Sequence, residues 1–552
     1  MTETTAPIAD TPRTRTAARI GWAILILATL YVCYFSHLGA IGFVGPDEPR
    51  YAWIARDMAE TGDWVTPRLY GKPWFEKPPL FYWGAALSFK LFGVSEAAAR
   101  LPSAISALLA TLALAWLALR LYGAETARWL LLLLPTTVGM IGFSHAAATD
   151  MPFSAMLTVA MVCAAVVLGL TRNENTPILS RTPWLALILF GFFLGLAVLA
   201  KGPAAIILSG GTIFFWALFS KRWRDAFRLF HPVAVASFCL IALPWYILCA
   251  RRNPDFFRIF IIEHNFKRYL TPEFQHIQPF WYYIPILGLG LLPWTVSSFI
   301  YLKDAVRSWR EGDWLNSPGL LFACWAIFPV VFFSLSKSKL PGYVLPIIPP
   351  LQMLAAQRVS LRVCKTLPGD RWIAITSGVT LITLSLFTLV KSVRIEDFRW
   401  AALVLATGGF AILFPGNLWR LSQALAISVL TVIVAIALAF LGYAGPTLDH
   451  SVSPRFALQA ARGIWSNYSP EHASTYKLQR SFQYSLNFYF HRELPEWSPG
   501  RVQPGWVFTS RKESSELQGF GLKCVSPGFH SAVILCEDPS SADSLPNRRQ
   551  PH

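Results

Sequence analysis

The chain has 552 residues, of which 54% are hydrophobic and only 14% are charged, and its mean hydropathy is +0.44. Soluble globular proteins carry charged residues at about a quarter of their positions, so this composition excludes an ordinary soluble enzyme. The formal net charge of +17 is better explained by basic loops on the cytoplasmic side of a membrane protein than by nucleic-acid binding.

Apolar runs of about 20 residues, the length that crosses a bilayer, recur between residues 20 and 442. The first run follows three arginines and has no small-residue cleavage site after it, which indicates a retained membrane anchor. We predict a polytopic α-helical membrane protein with about 13 transmembrane helices. The predicted spans are 19–40, 101–121, 127–145, 151–170, 183–200, 203–220, 230–249, 280–301, 316–335, 342–358, 372–391, 398–415 and 421–443.

Basic residues set the predicted orientation. If the N-terminus is cytoplasmic, every inner loop carries arginine or lysine, as the positive-inside rule requires. Two outer segments, 250–279 and 334–343, are also basic and include Arg268, Lys337 and Lys339. We interpret this exception as a sign of an anionic ligand at the outer surface. Binding of lipid headgroups and ordinary snorkelling of side chains are the alternatives.

The predicted domain organisation follows from these spans. Residues 1–18 form a cytoplasmic tail, and 19–444 form a membrane domain whose main outer loops are 41–100 and 250–279. After about residue 445 the span-length apolar runs stop, and 445–539 are predicted to form a small α/β domain outside the membrane, followed by a disordered tail at 540–552. Cys524 and Cys536 of this domain would be able to form a disulfide in an oxidising compartment.

The first outer loop contains the leading catalytic candidates. Between Gly45 and Tyr82, charged residues are interspersed with prolines and aromatic residues in a segment too polar for lipid. Asp47 is the first candidate, although Asp-Glu-Pro also resembles a helix start with an N-cap. Glu48 is a candidate substrate ligand. Lys77, in the sequence FEKPPLFYW, is a candidate phosphate clamp or else a solvated surface charge.

Further candidates lie at the outer ends of later spans. Asp150 follows His145 in an outer turn and is predicted to be a second catalytic acid or the cap of the next helix. Lys201, in the sequence LAKGP, must either snorkel or meet an anion, because a lysine in hydrocarbon costs roughly 2.5–3.5 kcal/mol. Tyr51, Tyr82 and Tyr343 would donate hydrogen bonds to sugar or phosphate, or anchor the protein at the membrane interface.

A metal site is a weaker possibility. Glu76 would either orient Lys77 or bind a metal, with His264 or His145 as further ligands, but no zinc-type spacing connects these residues. We therefore expect that no cofactor is required, with a divalent ion such as zinc on Glu76 and His264 as the alternative. The chain also lacks a glycine-rich phosphate loop and the HExxH and GxSxG motifs, which argues against nucleotide-driven pumps, zinc proteases and serine hydrolases.

Five motifs together carry a resemblance: GPDEPRYA, FEKPPLFYW, the Thr149-Asp150-Met-Pro turn, LAKGP and SKSKLPGYVLPIIPPL. The chain resembles the bacterial lipid A aminoarabinose transferases, relatives of the protein O-mannosyltransferases among the GT-C glycosyltransferases. This resemblance implies an inner-membrane enzyme that works at the periplasmic face. It implies transfer of 4-amino-4-deoxy-L-arabinose from undecaprenyl phosphate to lipid A phosphates, which lowers negative charge and gives resistance to polymyxin and other cationic peptides.

The resemblance also implies roles for individual residues. Asp47 matches the acid of the first periplasmic loop, Asp150 matches the second acid, and Lys77 matches the loop lysine. Lys201 and Arg268 are expected to contact the carrier phosphate. The expected partners are the lipid-linked donor, lipid A and membrane lipids, with the protein acting as a monomer.

Two other functions remain open from the sequence. The same scaffold would also suit transfer of a polyprenyl-linked sugar to a protein or to another envelope lipid. A lipid transporter or flippase is the second alternative. It is disfavoured because transporters are often built from two repeats with charges near mid-membrane, whereas the notable charges here lie in outer loops.

Overall fold

The computed structural model describes residues 12–171, 183–267, 278–310, 317–364, 370–392, 398–413, 421–440, 449–464, 470–499, 505–528 and 531–538. Within these segments, helices make up the first four fifths of the chain, and a small sheet with its own helices follows. The predicted ends of the chain, at 1–11 within the tail 1–18 and at 540–552, lie outside the described residues. A helix begins at Pro12, inside the predicted tail, and the tail boundary at residue 18 stays a prediction.

The membrane domain contains eighteen of the described helices. They are α1 Pro12–Tyr34, α2 Asp47–Thr61, α3 Leu80–Phe92, α4 Glu96–Tyr122, α5 Ala124–Leu133, α6 Val138–Ser144, α7 Asp150–Val167, α8 Trp184–Lys201, α9 Ala204–Ser220, α10 Trp223–Phe227, α11 Pro232–Arg252, α12 Tyr283–Gly290, α13 Thr295–Arg310, α14 Gly319–Leu335, α15 Ile348–Cys364, α16 Asp370–Ser392, α17 Phe398–Leu413 and α18 Leu421–Phe440. A π-helix covers Arg258–Lys267, and 3₁₀ turns cover Arg228–Phe230, Phe280–Tyr282 and Pro341–Ile347.

Each predicted span coincides with a helix or with an interrupted one. The span 127–145 is divided into α5 and α6, which are bent by 64° at a break containing Pro135. The span 280–301 is interrupted before Thr295, next to Pro293, because proline removes a backbone donor and clashes with the preceding turn. By length and composition, four described helices are suited to cross a membrane, or five if the bent pair is one span. Shorter apolar helices accompany them, and the number thirteen stays a prediction.

The core of the membrane domain surrounds α7. In α7, 89% of the residues are buried, which agrees with the apolar character of this helix on all sides. The neighbouring helices α4 and α8 pack along it. Because α7 begins at Asp150, this well-packed helix fixes the position of one predicted catalytic acid.

The first outer loop, 41–100, is largely structured. It contains α2, a short hairpin of β1 Arg68–Leu69 with β2 Lys72–Pro73, and α3. The buried side of α2, which includes Tyr51, Ile54 and Met58, packs on Phe81 of α3 and on Phe488 from the C-terminal domain. This small core holds the charged residues of the loop on defined helix ends.

The C-terminal domain is a mixed α/β unit, as expected. Its four strands are β3 Ala473–Tyr476, β4 Trp506–Ser510, β5 Lys523–Val525 and β6 Val533–Glu537, in the order β3-β4-β6-β5. Only the β3–β4 pair is parallel. Its helices are α19 Arg455–Ile464, α20 Arg480–Phe490 and α21 Ser514–Gly519. Cys524 and Cys536 lie opposite each other on β5 and β6 and form the anticipated disulfide.

The C-terminal domain is bound to the start of the first outer loop. Arg455 donates to the backbone oxygens of Gly39 and Ala40 at 3.1 and 2.8 Å and binds Glu96 at 3.1 Å. The Gly42 amide donates to Asp449 at 2.7 Å. A side chain at Gly42 would collide with this domain, since its Cβ would lie 2.1 Å from the Ser453 hydroxyl. The domain is therefore fitted closely against the loop that carries Asp47.

Candidate active site

The helix α2 places Asp47 at its first position. Acidic residues in the first turn are favoured by the helix dipole, and the following Pro49 suits that turn. The helix ends at Gly62, whose positive φ of 75° allows its amide to bind the Met58 carbonyl. A helix therefore does start at Asp-Glu-Pro, as the alternative interpretation of Asp47 predicted. The Asp47 side chain contributes no described cap and binds Arg50 instead.

Arg50 connects the acids of the first loop. Its guanidinium binds Asp47 and also binds Glu76 at 3.1 Å, and the Lys77 ammonium lies 3.6 Å from the other Glu76 oxygen. Arg50, Glu76 and Lys77 have side chains only 11–14% exposed, whereas the Asp47 side chain is 52% exposed. Thus Asp47 is the carboxylate of this cluster most open to an incoming substrate.

Two predicted tyrosines lie behind this charge cluster. Tyr51 and Tyr82 are almost completely buried, and their ring centres are 5.7 Å apart. Burial, with the negative charges of Glu76 and Asp47, raises the pKa of both hydroxyls well above the usual range. Both side chains are therefore neutral hydrogen-bond donors at any physiological pH. In the described part of the chain the Tyr82 hydroxyl has no hydrogen-bond partner.

Glu48 lies on the inner side of α2, away from Asp47. Its carboxylate forms two hydrogen bonds with Arg100, at 3.0 and 2.8 Å, and accepts the amides of Val44 and Ala147 at 2.8 and 2.7 Å. Its side chain is only 10% exposed. This geometry gives Glu48 a structural role at the start of α2, and its predicted contact with substrate stays a prediction.

A second acid–cation pair lies at the ends of α7 and α8. The Lys201 ammonium binds Asp150 at 2.5 Å, and it lies 4.8 Å from the centre of the Tyr343 ring. The backbone at Gly342 lies close to the Asp150 carboxylate, and only glycine fits there, because a Cβ at position 342 would lie 2.3 Å from Asp150 Oδ1. The structure thus brings together three residues predicted separately from the sequence. Lys201 meets an internal carboxylate rather than only water or lipid headgroups.

The remaining basic candidates are Lys337 and Lys339, which shortly precede Tyr343 in the sequence, and Arg268. Lys339 is buried, and its ammonium donates to the backbone oxygens of Ser336 and Gln278 at 2.6 and 3.1 Å. Burial and the neighbouring Lys337 lower its pKa. Lys337 itself is exposed. Arg268, the predicted carrier-phosphate contact of the 250–279 loop, lies outside the described residues.

Curated relatives of this chain are named as arabinosyl transferases. The undecaprenyl phosphate-alpha-4-amino-4-deoxy-L-arabinose arabinosyl transferase 2 of Proteus mirabilis (strain HI4320) is 31% identical over 405 residues, which cover 72% of this chain and 70% of the relative. The chain belongs to this family.

Other members of the aminoarabinose transferase family match over shorter lengths. The Enterobacter sp. (strain 638) transferase is 32% identical, with 67% of this chain and 65% of the relative covered. For the Erwinia tasmaniensis transferase the identity is 35%, with 60% and 59% covered. Thus the chain spans less than two thirds of the length of these two relatives. A family model described as dolichyl-phosphate-mannose-protein mannosyltransferase matches residues 20–260, which include Asp47, Asp150 and Lys201.

The fold agrees with that of a solved family member. The crystal structure of ArnT from Cupriavidus metallidurans bound to undecaprenyl phosphate is 25% identical and has a TM-score of 0.73, covering 94% of this chain and 98% of that chain. Its apo structure gives a TM-score of 0.74. These matches confirm both the predicted resemblance and a helical fold of the GT-C type.

The metal prediction for this family member stays open. Glu76 is already bound to Arg50 and Lys77, and His264 lies on the π-helix Arg258–Lys267. Among the described residues, no three His, Cys, Asp or Glu side chains are grouped so as to hold a metal ion. The two ring nitrogens of His145 lie 3.0 and 2.9 Å from the backbone oxygens of Ile141 and Ser36, and Nδ1 also lies 3.1 Å from the Ser144 hydroxyl. A neutral imidazole donates from only one of its nitrogens, so the tautomer decides which of these contacts is a donated hydrogen bond.

Sequence reasoning missed two arginines and one tyrosine. Arg50 joins Asp47 to Glu76, and Arg100 neutralises the buried Glu48. The spacing of Asp47 and Arg50, one helical turn apart, was a usable signal once a helix start had been considered. Tyr484 of α20 lies against Arg50, with its ring centre 5.5 Å from the guanidinium carbon. Its contribution depends on a contact between residues more than 400 positions apart, which no local pattern indicates.

Proposed function

We propose that this protein is an integral membrane glycosyltransferase that moves 4-amino-4-deoxy-L-arabinose from undecaprenyl phosphate to the phosphate groups of lipid A. The proposal rests on family membership and on the names of the aligned relatives. The observation that carries it is the arrangement of two acid–cation clusters on outer-loop and helix-end positions. These are Asp47 with Arg50, Glu76 and Lys77, and Asp150 with Lys201.

The cations suit the leaving group of this reaction. As the bond from the sugar to the carrier phosphate breaks, negative charge increases on the departing polyprenyl phosphate. Positive groups held in place before the reaction lower the energy of that charge in the transition state. Lys77 and Lys201 are such groups, because each is held beside a carboxylate with its side chain 14% or 12% exposed. In the mechanism they bind the carrier phosphate.

The acceptor determines what Asp47 does. A phosphate monoester has its second pKa near 6 and is already an anion at neutral pH. It attacks the sugar carbon without a general base, so we assign Asp47 to orient the substrates, to bind the cationic sugar amine and to stabilise positive charge on the sugar ring. The reaction is a single displacement in which the acceptor oxygen forms the new bond as the carrier phosphate leaves.

A second candidate acceptor is a protein or another envelope lipid. The match of residues 20–260 to the mannosyltransferase family model favours this alternative. A hydroxyl acceptor, unlike a phosphate, needs a base, and base catalysis typically contributes about 10²–10⁴-fold to the rate. Under this alternative, the exposed Asp47 carboxylate would have to accept the proton.

A reconstituted transfer reaction separates the two acceptors. The full-length protein in lipid nanodiscs would be given undecaprenyl phosphate-linked aminoarabinose or mannose, with lipid A or a serine-rich peptide as acceptor. We expect aminoarabinose on lipid A and no product with the other combinations. Asp150→Asn should lower the rate, whereas the exposed Asp255→Asn serves as the control. Transfer to peptide in preference to lipid A would overturn the proposed acceptor.

The proposed location is the bacterial inner membrane, with the active site and the C-terminal domain in the periplasm. The basic inner loops support this orientation. The Cys524–Cys536 disulfide also supports it, because disulfides persist in oxidising compartments. Alkaline phosphatase fused after Asp538 should be active, and fused after Ser220 it should be inactive. The reverse pattern would contradict this orientation. We further propose that the protein acts as a monomer.

A further inference from the structure

A deep apolar groove lies between α8, α9 and α11, and it is not part of the candidate active site. It has a volume of about 540 Å³, which is within the range of ligand pockets. Its walls include the aromatic side chains of Phe190, Phe214, Phe227, Phe230 and Phe238. The polar side-chain groups in the lining are the Ser209 hydroxyl, which donates to the Ala205 carbonyl within its own helix at 2.8 Å, and the Trp223 indole nitrogen.

This groove lies towards the end of the helices that is remote from the acids. Lys201, at the end of α8, binds Asp150, and α9 begins immediately afterwards at Ala204. The seventeen residues of α9 carry the chain roughly 25 Å along its axis to Ser220. The short helix α10 and the turn Arg228–Phe230 then form one wall of the groove. A ligand held there would be on the opposite membrane face from the active site.

Charge is concentrated on the segment that forms this wall. Residues 221–230, KRWRDAFRLF, alternate aromatic side chains that line the groove with cations that do not. Asp225 binds Arg222 at 2.7 Å and Arg228 at 2.9 Å. Within the described segments, the exposed Lys221 and Arg224 have no acidic partner. Protein segments that combine basic and aromatic residues in this way typically lie at the membrane surface and attract anionic lipids.

We propose that the groove binds an acyl chain of an anionic diacyl phospholipid, with its phosphate held by Lys221 and Arg224. The walls disfavour a polar soluble ligand, because they are almost entirely apolar and would leave most of its polar groups without hydrogen bonds. The exposed cations Lys221 and Arg224, on the segment that forms one wall, favour a lipid with net negative charge. The same groove contacts α8, which ends at Lys201, so the bound lipid holds together helices that support the active site.

The structure offers a variant that fills the groove without disturbing the protein. Gly210 lines the groove, and a Cβ at this position would meet no atom within 4 Å. Gly210→Leu therefore places a side chain in the space assigned to the lipid. Gly21→Leu is the matched control, because Gly21 of α1 has equally free space and lies outside the groove lining. The double variant K221Q/R224Q removes the unpaired cations, and Arg120→Gln is its exposed control.

Native mass spectrometry of the full-length protein tests the proposal without relying on its enzymatic activity. Purified protein would be mixed with phosphatidylglycerol or phosphatidylcholine that carry identical acyl chains. We expect the parent protein, G21L and R120Q to retain phosphatidylglycerol roughly thirtyfold more than phosphatidylcholine, since each of the two cations contributes about 1 kcal/mol of attraction to the anionic lipid. G210L should lose this bound lipid. K221Q/R224Q should retain both lipids equally.

Three results would overturn the proposal. They are unchanged lipid retention in G210L, equal retention of both lipids by the parent protein, and an undiminished preference for phosphatidylglycerol in K221Q/R224Q. Far-ultraviolet circular dichroism of each variant shows whether it is folded. If G210L fails to fold, the K221Q/R224Q comparison still decides the headgroup preference.

Discussion

The ring centre of Tyr484 lies 5.5 Å from the guanidinium carbon of Arg50, although the two residues belong to different domains. Arg50 also binds Asp47 and Glu76. The contact is supported by a set of neighbouring bonds, including those of Asn487 to Tyr70 at 2.9 Å and of Tyr489 to Glu96 at 2.8 Å. The C-terminal domain therefore contributes to the position of the acids in the first outer loop.

We expect Tyr484→Leu to reduce the transfer rate while Tyr484→Phe has little effect. The leucine removes one of three aromatic faces that lie within 6 Å of the Arg50 guanidinium among the described residues, whereas phenylalanine keeps it. A cation–π contact is worth about 0.5–2 kcal/mol, which corresponds to a loss of about twofold to about thirtyfold. Initial rates at saturating donor would measure the effect. Equal activity of the leucine and phenylalanine variants would contradict a positioning role for Tyr484.

The buried Glu48–Arg100 pair should govern stability rather than chemistry. Glu48→Gln leaves the buried Arg100 cation without its carboxylate, and breaking a buried pair costs about 3–5 kcal/mol. We expect a clear fall in the midpoint of heat-induced unfolding in detergent. Glu60→Gln, at an exposed carboxylate of the same helix, is the control and should change the midpoint little. If E48Q unfolded at the same temperature as E60Q, the structural role would be wrong.

Lys339 should make donor binding sensitive to alkaline pH. Because burial and Lys337 lower the pKa of its ammonium group, Lys339 loses its charge at a lower pH than an ordinary lysine. If the Lys339 charge binds the anionic donor, the KM for the donor rises as the pH increases towards 10.5, the ordinary pKa of a lysine side chain. Lys339→Arg retains its charge throughout this range and should flatten the profile. Identical pH profiles for the parent and the arginine variant would exclude this role.

Removal of divalent metal should leave the activity unchanged. Both Glu76 oxygens already bind cations, one from Arg50 and one from Lys77, so the carboxylate charge is neutralised without a metal. Transfer would be measured after exhaustive dialysis against a chelator, with and without added zinc. A loss of activity that zinc restores would contradict this expectation and favour the alternative site on Glu76 and His264.

Hydropathy located the apolar spans of the membrane domain, since each predicted span coincides with helical structure within the described residues. It did not reveal the interruption of the span at 280–301 because apolar composition continues through the break at Pro293. The outer loop was predicted as polar, but its helix α2 packs against the C-terminal domain and α3 packs on α2. Tertiary contacts of that kind leave no periodic signal in a short segment.

The candidate site was predictable in part. Asp150, Lys201 and Tyr343 were identified individually as polar groups at outer helix ends, and the fold brings them into contact. For Glu48 the prediction did not anticipate Arg100, 52 residues later, which takes its carboxylate into the interior. Glu48 directly follows Asp47, but its side chain points about 100° further around the helix. Only the three-dimensional packing determines the partner that it meets there.

The central claim is that Asp47 acts in the transfer of aminoarabinose to lipid A. Mass spectrometry of lipid A tests it in a bacterium that makes the donor but lacks its own transferase, expressing either the parent chain or Asp47→Ala. We expect the aminoarabinose adduct with the parent chain and at least about a hundredfold less with the variant at equal membrane abundance. Near-normal adduct with Asp47→Ala would remove this residue from the mechanism, and the absence of adduct from a properly inserted parent chain would contradict the proposed reaction.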